Sequence, residues 1–342
     1  METLISSLNT AFAFPIVHAS DIAAARRAGQ KLATELGFNE TRAGTLALIV
    51  TEAGTNLLKH AGEGMLYLNV AQSESEPGVD VLAVDSGPGI ADLEACLRDG
   101  MSTAGTAGTG LGALSRLSDE FDAYSTPGNG ALFFMRLWRD EGAPGLCRVD
   151  VGALAVPLAG EDECGDAWGV ACDGRGATLL GADGLGHGPD AAAASRAALA
   201  ELVHHPQSEP AQLVEAAHQA LRITRGAALA AARIDFENDV VRFAGIGNIG
   251  AYVIDGDTRR ALVSHNGIVG HNMRKVQEFS VPCPPGAVCI QHSDGIQTQW
   301  DLDKYPGLLA RSPALIAAML MRDFIRRRDD AMVLVARRRM AS

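Results

Sequence analysis

No stretch of this 342-residue chain holds enough consecutive apolar residues to cross a bilayer, so no membrane partner is expected. Positive charge is also short: 29 Lys and Arg stand against 41 Asp and Glu, a formal net charge of −12. Such a chain repels a phosphate backbone, which excludes nucleic acid. The basic segments "FIRRRDD" and "RRRMAS" are too short to reverse this and read as solvated surface. The six cysteines (Cys96, Cys147, Cys164, Cys172, Cys283 and Cys289) sit at unrelated spacings, with no CxxC pair and no Cys/His cluster to hold zinc. The opening "METLISSLNTAFAFPIV" lacks the basic start and sustained apolar core of a secretory leader. A reduced, cytoplasmic protein is the expectation. Repeats and low-complexity segments are missing too. What is present is ordinary globular composition, 47% apolar and 20% charged, at a length that suits two domains.

The first half opens with helical patterns. "SDIAAARRAGQKLATELGFNE" offers Ser20 or Asp21 as N-cap and Gly37 as a stop. In "TRAGTLALIVTEAGTNLLKHAG", Leu46, Ile49, Val50, Ala53 and Leu57 form one stripe at about 100° per residue. Strand-like runs follow: "MLYLNVA", "VDVLAVDSG" and "GALFFMRLW". Gly and Pro cluster in "RDEGAPGLC", which places a boundary near Pro144 and divides the chain into 1–140 and 145–340. Beyond it come two helical segments, 188–204 and 210–222. Short apolar strands accompany them: "AALAAARIDF", "DVVRFAGIG", "IGAYVID", "AVCIQHSDG" and "AMVLVARR".

Glu52 and Asn56 lie four residues apart on one face of the second helix. A carboxylate and an amide so placed can serve as a base or water-orienting group and as a Mg²⁺ ligand. "DSGPGI" sets Asp85 at a strand end with Gly87 and Gly89 behind it, so that a flat ring can approach the backbone. "GTAGTGLGAL" brings Gly108, Gly110, Leu111 and Gly112 to a helix start, a cradle for phosphates. In this order the three segments resemble the GHKL ATPase superfamily, over about residues 15–140. "TEAGTNLLKHAG" is similar to its N box, "DSGPGI" and "GTGLGAL" to its two glycine boxes. The resemblance implies ATP as ligand, with Asp85 recognising the adenine amino group and Asn56 holding Mg²⁺. Glu52 would activate the hydroxyl being phosphorylated, and the second glycine box would line the nucleotide. No helix carrying a phospho-accepting His precedes the segment. That favours the anti-sigma-factor serine kinases (RsbT/RsbW-like), particularly those acting on STAS-domain proteins of stressosomes.

In the second half, "LLGADGLGHGPDAAAASRAALA" has three readings: a phosphate cradle, an oxygen-lined metal site, or a tight turn with Asp190 near a helix start. It lacks the Lys-Ser/Thr end of a Walker loop, which demotes the first. Asp166 in "CGDAWGV", Asp183 in "GADGLGHG", Asp294 in "IQHSDGI" and Asp329–Asp330 in "RRRDDAMVLV" mostly abut strand-like runs, where side chains from different strands can converge. Carboxylates without thiolates or paired imidazoles suit Mg²⁺ or Mn²⁺. Two such metals make hydroxide from water and clamp a phosphoryl oxygen.

In family order these segments resemble the metal-dependent PPM phosphatases of the sporulation (SpoIIE) type, most closely the compact RsbX-like group, over about 147–339. The resemblance implies Asp183 bridging two Mn²⁺ or Mg²⁺ ions. The Gly184 carbonyl would lie on one, with Asp166, Asp294 and Asp329 on or around the other. Cys164-Gly165-Asp166 replaces a common Gly-Gly-Asp. Family position favours Asp329 over Asp330. His187 reads as structural, Asn248 and Asn266 as turn residues, and no Arg is assigned to the phosphate.

The fold class expected is a two-domain α/β chain: a GHKL α/β sandwich with helices on one mixed sheet, then a PPM-type αββα sandwich. The function expected is a bifunctional regulator of partner switching, serine kinase and phosphoserine/phosphothreonine phosphatase at once. Its partner would be a STAS-domain anti-sigma antagonist or stressosome scaffold protein, with a homodimer left open. The alternative is a phosphatase whose ATP-binding half only binds a partner. Coupling between the two activities is expected through the short 139–147 connection.

Overall fold

The computed structural model describes residues 3–6 (backbone only), 12–73, 76–97, 110–140, 148–273 and 275–340. The chain begins with β1 (Thr3–Ser6) and β2 (Phe12–Ile16), then α1 (Ala19–Glu35) and α2 (Glu40–Asn56). There follow β3 (Gly64–Gln72), β4 (Pro77–Val84), the short α3 (Leu93–Leu97), α4 (Gly110–Leu117), β5 (Glu120–Ser125) and β6 (Ala131–Trp138). The five-stranded sheet runs β2-β3-β4-β6-β5. Every pairing in it is antiparallel, where a mixed sheet was expected. The stripe Leu46, Ile49, Val50, Ala53 and Leu57 is buried, as the periodicity requires, and seats α2 on this sheet. The cap of α1 falls earlier than Ser20 or Asp21: His18 is the extended N-cap residue, and its backbone N donates to the Asp21 carboxylate at 2.7 Å. That closes a capping box, which holds the helix start more firmly than Ser20 alone.

The second half continues with β7 (Val149–Val156), β8 (Asp166–Cys172), β9 (Gly176–Gly184), α5 (Pro189–His204) and α6 (Pro210–Ala220). Next are β10 (Ala227–Asp235), β11 (Val240–Ile246), β12 (Gly250–Asp255), β13 (Thr258–Leu262) and β14 (Phe279–Pro282). The last elements are β15 (Val288–His292), α7 (Pro313–Phe324) and β16 (Ala331–Arg338). Two antiparallel sheets, β1-β8-β9-β10-β11-β14 and β13-β12-β15-β16-β7, face each other across a core that includes Trp168, Leu179, Phe243 and Leu334. Helices α5 and α6 cover the sheet β1-β8-β9-β10-β11-β14 and α7 covers the sheet β13-β12-β15-β16-β7, which gives the four expected layers.

Two features join the halves. Strand β1, counted by sequence with the first half, pairs with β8 in the second. Helix α7 is buried from Pro313 to Met321 and packs two ways. One side meets β7 and β16. The other meets the outer face of the first sheet, through Tyr67, Leu82, Val84, Tyr124, Leu132 and Phe134. A helix apolar all round belongs in a core, and here that core spans both halves. The expected link at 139–147 lies mostly outside the described residues. Cys172 is disulfide-bonded, a departure from wholly reduced thiols, while Cys96, Cys164, Cys283 and Cys289 are free. Among the described residues no helix is long and apolar enough to cross a membrane.

The approach of α7 to β7 is tight enough to test. A β-carbon on Gly152 would stand 2.0 Å from the Ala314 nitrogen, whereas one on Gly174 would meet nothing within 4 Å. Gly152→Ala is expected to cost about 1–3 kcal/mol, read from the denaturation midpoint, because α7 must shift. Gly174→Ala is the control and should change the midpoint little.

Candidate functional site

In the first half, α2 carries Glu52 and Asn56 one turn apart, both half-buried. Asn56 is the last residue before a π-turn, Leu57–Ala61, and its Nδ2 is buried with no partner among the described residues. A buried amide left unpaired is costly, so this atom marks where a ligand group fits. Asp85 follows β4. Its Oδ1 accepts from Gly87 N at 2.8 Å and Ala131 N at 3.2 Å, which fixes the carboxylate and leaves Oδ2 for a donor. Burial raises the Asp85 pKa, against the lowering pull of those two amides. Gly87 and Gly89 also leave no room for a side chain against the protein itself. A β-carbon on Gly87 would press on Ala61 at 2.8 Å, and one on Gly89, whose φ is +70°, would stand 2.2 Å from the Thr126 carbonyl. The close approach is made by protein backbone. Gly110, Leu111 and Gly112 form the first turn of α4, which packs on α2. Gly108 lies outside the described residues.

In the second half, antiparallel register sets Asp166 at the start of β8 directly opposite Asp183 near the end of β9. Directly opposed residues bring their β-carbons to about 5 Å. Asp294 follows β15 and Asp329 precedes β16, neighbouring strands of the facing sheet. All four are therefore carried to one end of the sandwich, between the sheets. Burial, then the charges of Asp294 and Asp329, raise Asp183 to about 7. Burial and the Asp183 charge push Asp166 well up, against a hydrogen bond from Ser293. Burial and Asp329 raise Asp294. Groups that shift one another in this way are close neighbours.

Asp330 is different. Its two oxygens accept from Leu158 N and Gly165 N, both at 2.7 Å, so this carboxylate ties loops together. Asp329 spends one oxygen on the adjacent Asp330 N at 2.9 Å and is left facing the cluster. This supports Asp329 as the ligand of the two.

The residues fit divalent cations by their chemistry. Asp166 Oδ2 is buried without a partner, and the donors are all oxygen. Among the described residues no three His, Cys, Asp or Glu side chains close into a ready-made cage. Mg²⁺ does not need one, because it keeps several waters and takes one or two carboxylates. Gly184 could be no other residue here: a β-carbon on it would lie 2.1 Å from the Ala191 carbonyl of α5.

Sequence reasoning missed Asn248, whose Nδ2 donates to Asp294 Oδ2 at 2.6 Å, and Ser293, whose Oγ also accepts from Met332 N at 2.9 Å. Turn residues give no sequence signal for a contact this distant along the chain. His187 sits outside the cluster, 2.6 Å from Glu161 through Nδ1, in keeping with a structural role.

These two folds are those of a serine/threonine phosphatase of the PPM class joined to a GHKL-type ATPase domain. The chain belongs to both families. Residues 17–136 match the histidine kinase-like ATPase domain, and residues 173–339 match stage II sporulation protein E (SpoIIE). The first half is similar to the serine/threonine-protein kinase RsbT of Bacillus subtilis (strain 168). Identity is 36% over 110 residues, 32% of this chain and 83% of that protein. The second is similar to the phosphoserine phosphatase RsbX of the same organism, 26% identical over 140 residues, 40% of this chain and 69% of that one. A solved structure described under the bacterial stressosome as a modular system adapted to control secondary messenger signaling is 30% identical. It aligns with TM-score 0.52 over 55% of this chain and 99% of its own.

Repulsion among the carboxylates yields a prediction that does not depend on turnover. In metal-free protein at pH 8, Asp183→Asn is expected to raise the melting temperature by removing one crowded charge. Mn²⁺ at a hundred times its Kd should stabilise the native chain by about 2.7 kcal/mol and the variant far less. Equal Mn²⁺ shifts in both would remove Asp183 from the site.

Proposed function

We propose that this chain both adds phosphate to and removes it from serine or threonine of a STAS-domain protein in a partner-switching pathway. The observation that carries the reading is the Asp166–Asp183 pair. Two carboxylates held opposite each other, one with a buried orphan oxygen, repel as anions, and a divalent cation held by both would remove that repulsion. The relatives' names support the choice of pathway.

In the second half, Asp183, the Gly184 carbonyl, Asp166, Asp294 and Asp329 would hold two Mn²⁺ or Mg²⁺ ions. Such ions supply a water acidic enough to attack at neutral pH and draw charge from the phosphoryl oxygens. The chain's own contribution is rigid placement. Asn248 holds Asp294, Ser293 holds Asp166, and Asp330 binds the loop that leads into Asp166. Water oxygen bonds to phosphorus as the bond to the serine oxygen breaks, and the serine oxygen leaves with that electron pair and takes a proton.

In the first half, Asp85 Oδ2 would accept from the adenine amino group and Asn56 would hold Mg²⁺. The start of α4 would receive the phosphates through Gly110, Leu111 and Gly112, with Gly108 beside them. Glu52, one turn from Asn56 on the same face, would take the proton from the attacking serine hydroxyl.

The test uses the full chain with a STAS-domain protein. With ATP labelled at the γ-phosphate, label is expected on serine of that protein. Glu52→Gln should reduce transfer at least a hundredfold and leave Mn²⁺-dependent dephosphorylation in place. Asp183→Asn should do the reverse. Stoichiometric binding of the partner without label would instead make the first half a docking module.

A further inference from the structure

We infer that Leu185, Ile223 and Arg225 form a docking rim for the phosphorylated loop of a protein substrate. Arg225 takes phosphoryl oxygens, and the two aliphatic side chains take an apolar neighbour of the phosphoserine. The inference rests on the phosphatase reading above. Ile223 ends the 3₁₀ turn Leu221–Ile223 and is 95% exposed, while Leu221 is fully buried. An isolated exposed apolar residue is unremarkable, so position decides. Residues 224–226 lead straight into β10, where Ala227 pairs with Gly184 and Ala228 with Asp183. Leu185, 38% exposed, is the next residue after Gly184, and its N donates to the Gly226 carbonyl at 3.0 Å. Two aliphatic side chains from adjoining strand ends thus stand at the mouth of the carboxylate cluster.

The segment is held in place before any partner arrives. Thr224 Oγ1 donates to Leu221 O at 2.8 Å and accepts from Gly226 N at 3.0 Å, and His271 Nε2 lies 3.2 Å from Thr224 O. Gly226 adopts φ +81°, with His271 and Val269 where a side chain would go. The Arg225 guanidinium lies against Gly186 and reaches Asp190 at 2.6 Å, an ion pair whose side chains are 51% and 70% exposed. Exposed pairs of this kind hold weakly. A phosphoryl dianion offers the same planar fork two acceptor oxygens and more charge. A cluster of aspartates repels that dianion until cations and a neighbouring arginine offset it, and Arg225 stands at the entrance.

The experiment measures kcat and KM in Mn²⁺ with two probes, p-nitrophenyl phosphate and a STAS-domain protein phosphorylated on serine. Ile223→Asp is expected to lower the ratio of kcat/KM for phosphoprotein over p-nitrophenyl phosphate about tenfold. Arg225→Ala is expected to raise KM for both about tenfold with a smaller effect on kcat, and Arg225→Lys to recover part of that. Val203→Asp, at the opposite end of α5, is the surface control, and melting temperatures confirm folding. Ratios and KM values in the Ile223 and Arg225 variants that match Val203→Asp overturn the rim. Cleavage of p-nitrophenyl phosphate but of no phosphorylated STAS protein also overturns it and leaves the metal centre standing. Cleavage of neither by the native chain overturns the phosphatase reading itself.

Discussion

Burial of α7 on both sides is the constraint from which the arrangement of the molecule follows. An antiparallel sheet commonly leaves one face to water. The first sheet does not: Leu66, Leu68, Val79 and Val81 meet α1 and α2, while Tyr67, Leu82, Val84 and Phe134 meet the core around α7. Neither half is therefore finished alone. Without the second, the outer face of the first sheet would be bare apolar surface; without the first, one flank of α7 would be. Domains joined by small polar contacts move freely against each other, whereas a shared apolar core resists such motion.

The same helix ties the two sites together. Arg322, in its last turn, donates through Nη1 to the carbonyls of Asp85 and Asn129, both at 2.8 Å. The chain then runs through Ile325 to Arg327, which sits at φ +56°, and on to Asp329. A cleft of about 1110 Å³ opens between the halves, with Ser86 and Gly87 among its walls on one side and Arg327 and Asp329 on the other. Arg322 and the residues after it thus link the Asp85 loop to Asp329 over a short stretch of chain. The connection at 139–147, where coupling was expected, lies mostly outside the described residues. The arginines of "FIRRRDD" are exposed, as the sequence reading of a solvated surface expects, and Arg327 among them lines the cleft.

Much of this was legible in the residues, and the failures have physical causes. The α2 stripe, most of the strands and the aspartates at strand ends followed from period and position. Helix α7 did not, because "PALIAAMLM" is apolar on every side and shows no 3.6-residue period to read. Strand β5, "EFDAYS", was lost in a glycine-rich segment for lack of apolar runs. The pairing of β1 with β8 is a long-range choice that no local pattern encodes. Asp329 and Asp330 are indistinguishable as letters. Only the amides of Leu158 and Gly165, more than 160 positions away, separate the structural carboxylate from the free one.

That separation extends to the other buried charges of the described residues. Asp80 is met by Arg136 at 2.5 Å, Asp173 by Arg233 at 2.8 Å and Asp235 by Arg242 at 2.5 Å. Those pairs satisfy their own electrostatics and hold strands together; Asp173 and Asp235 sit below their ordinary pKa as a result, drawn down chiefly by hydrogen bonds that outweigh burial. Asp166, Asp183 and Asp294 go the other way, raised by burial and by neighbouring carboxylates, with Arg326 only partly offsetting this at Asp294 and no arginine ion pair to the three among the described residues. Crowding carboxylates at one end of the sandwich costs stability in the metal-free chain at any pH where they ionise, and a cation bound among them would recover that stability.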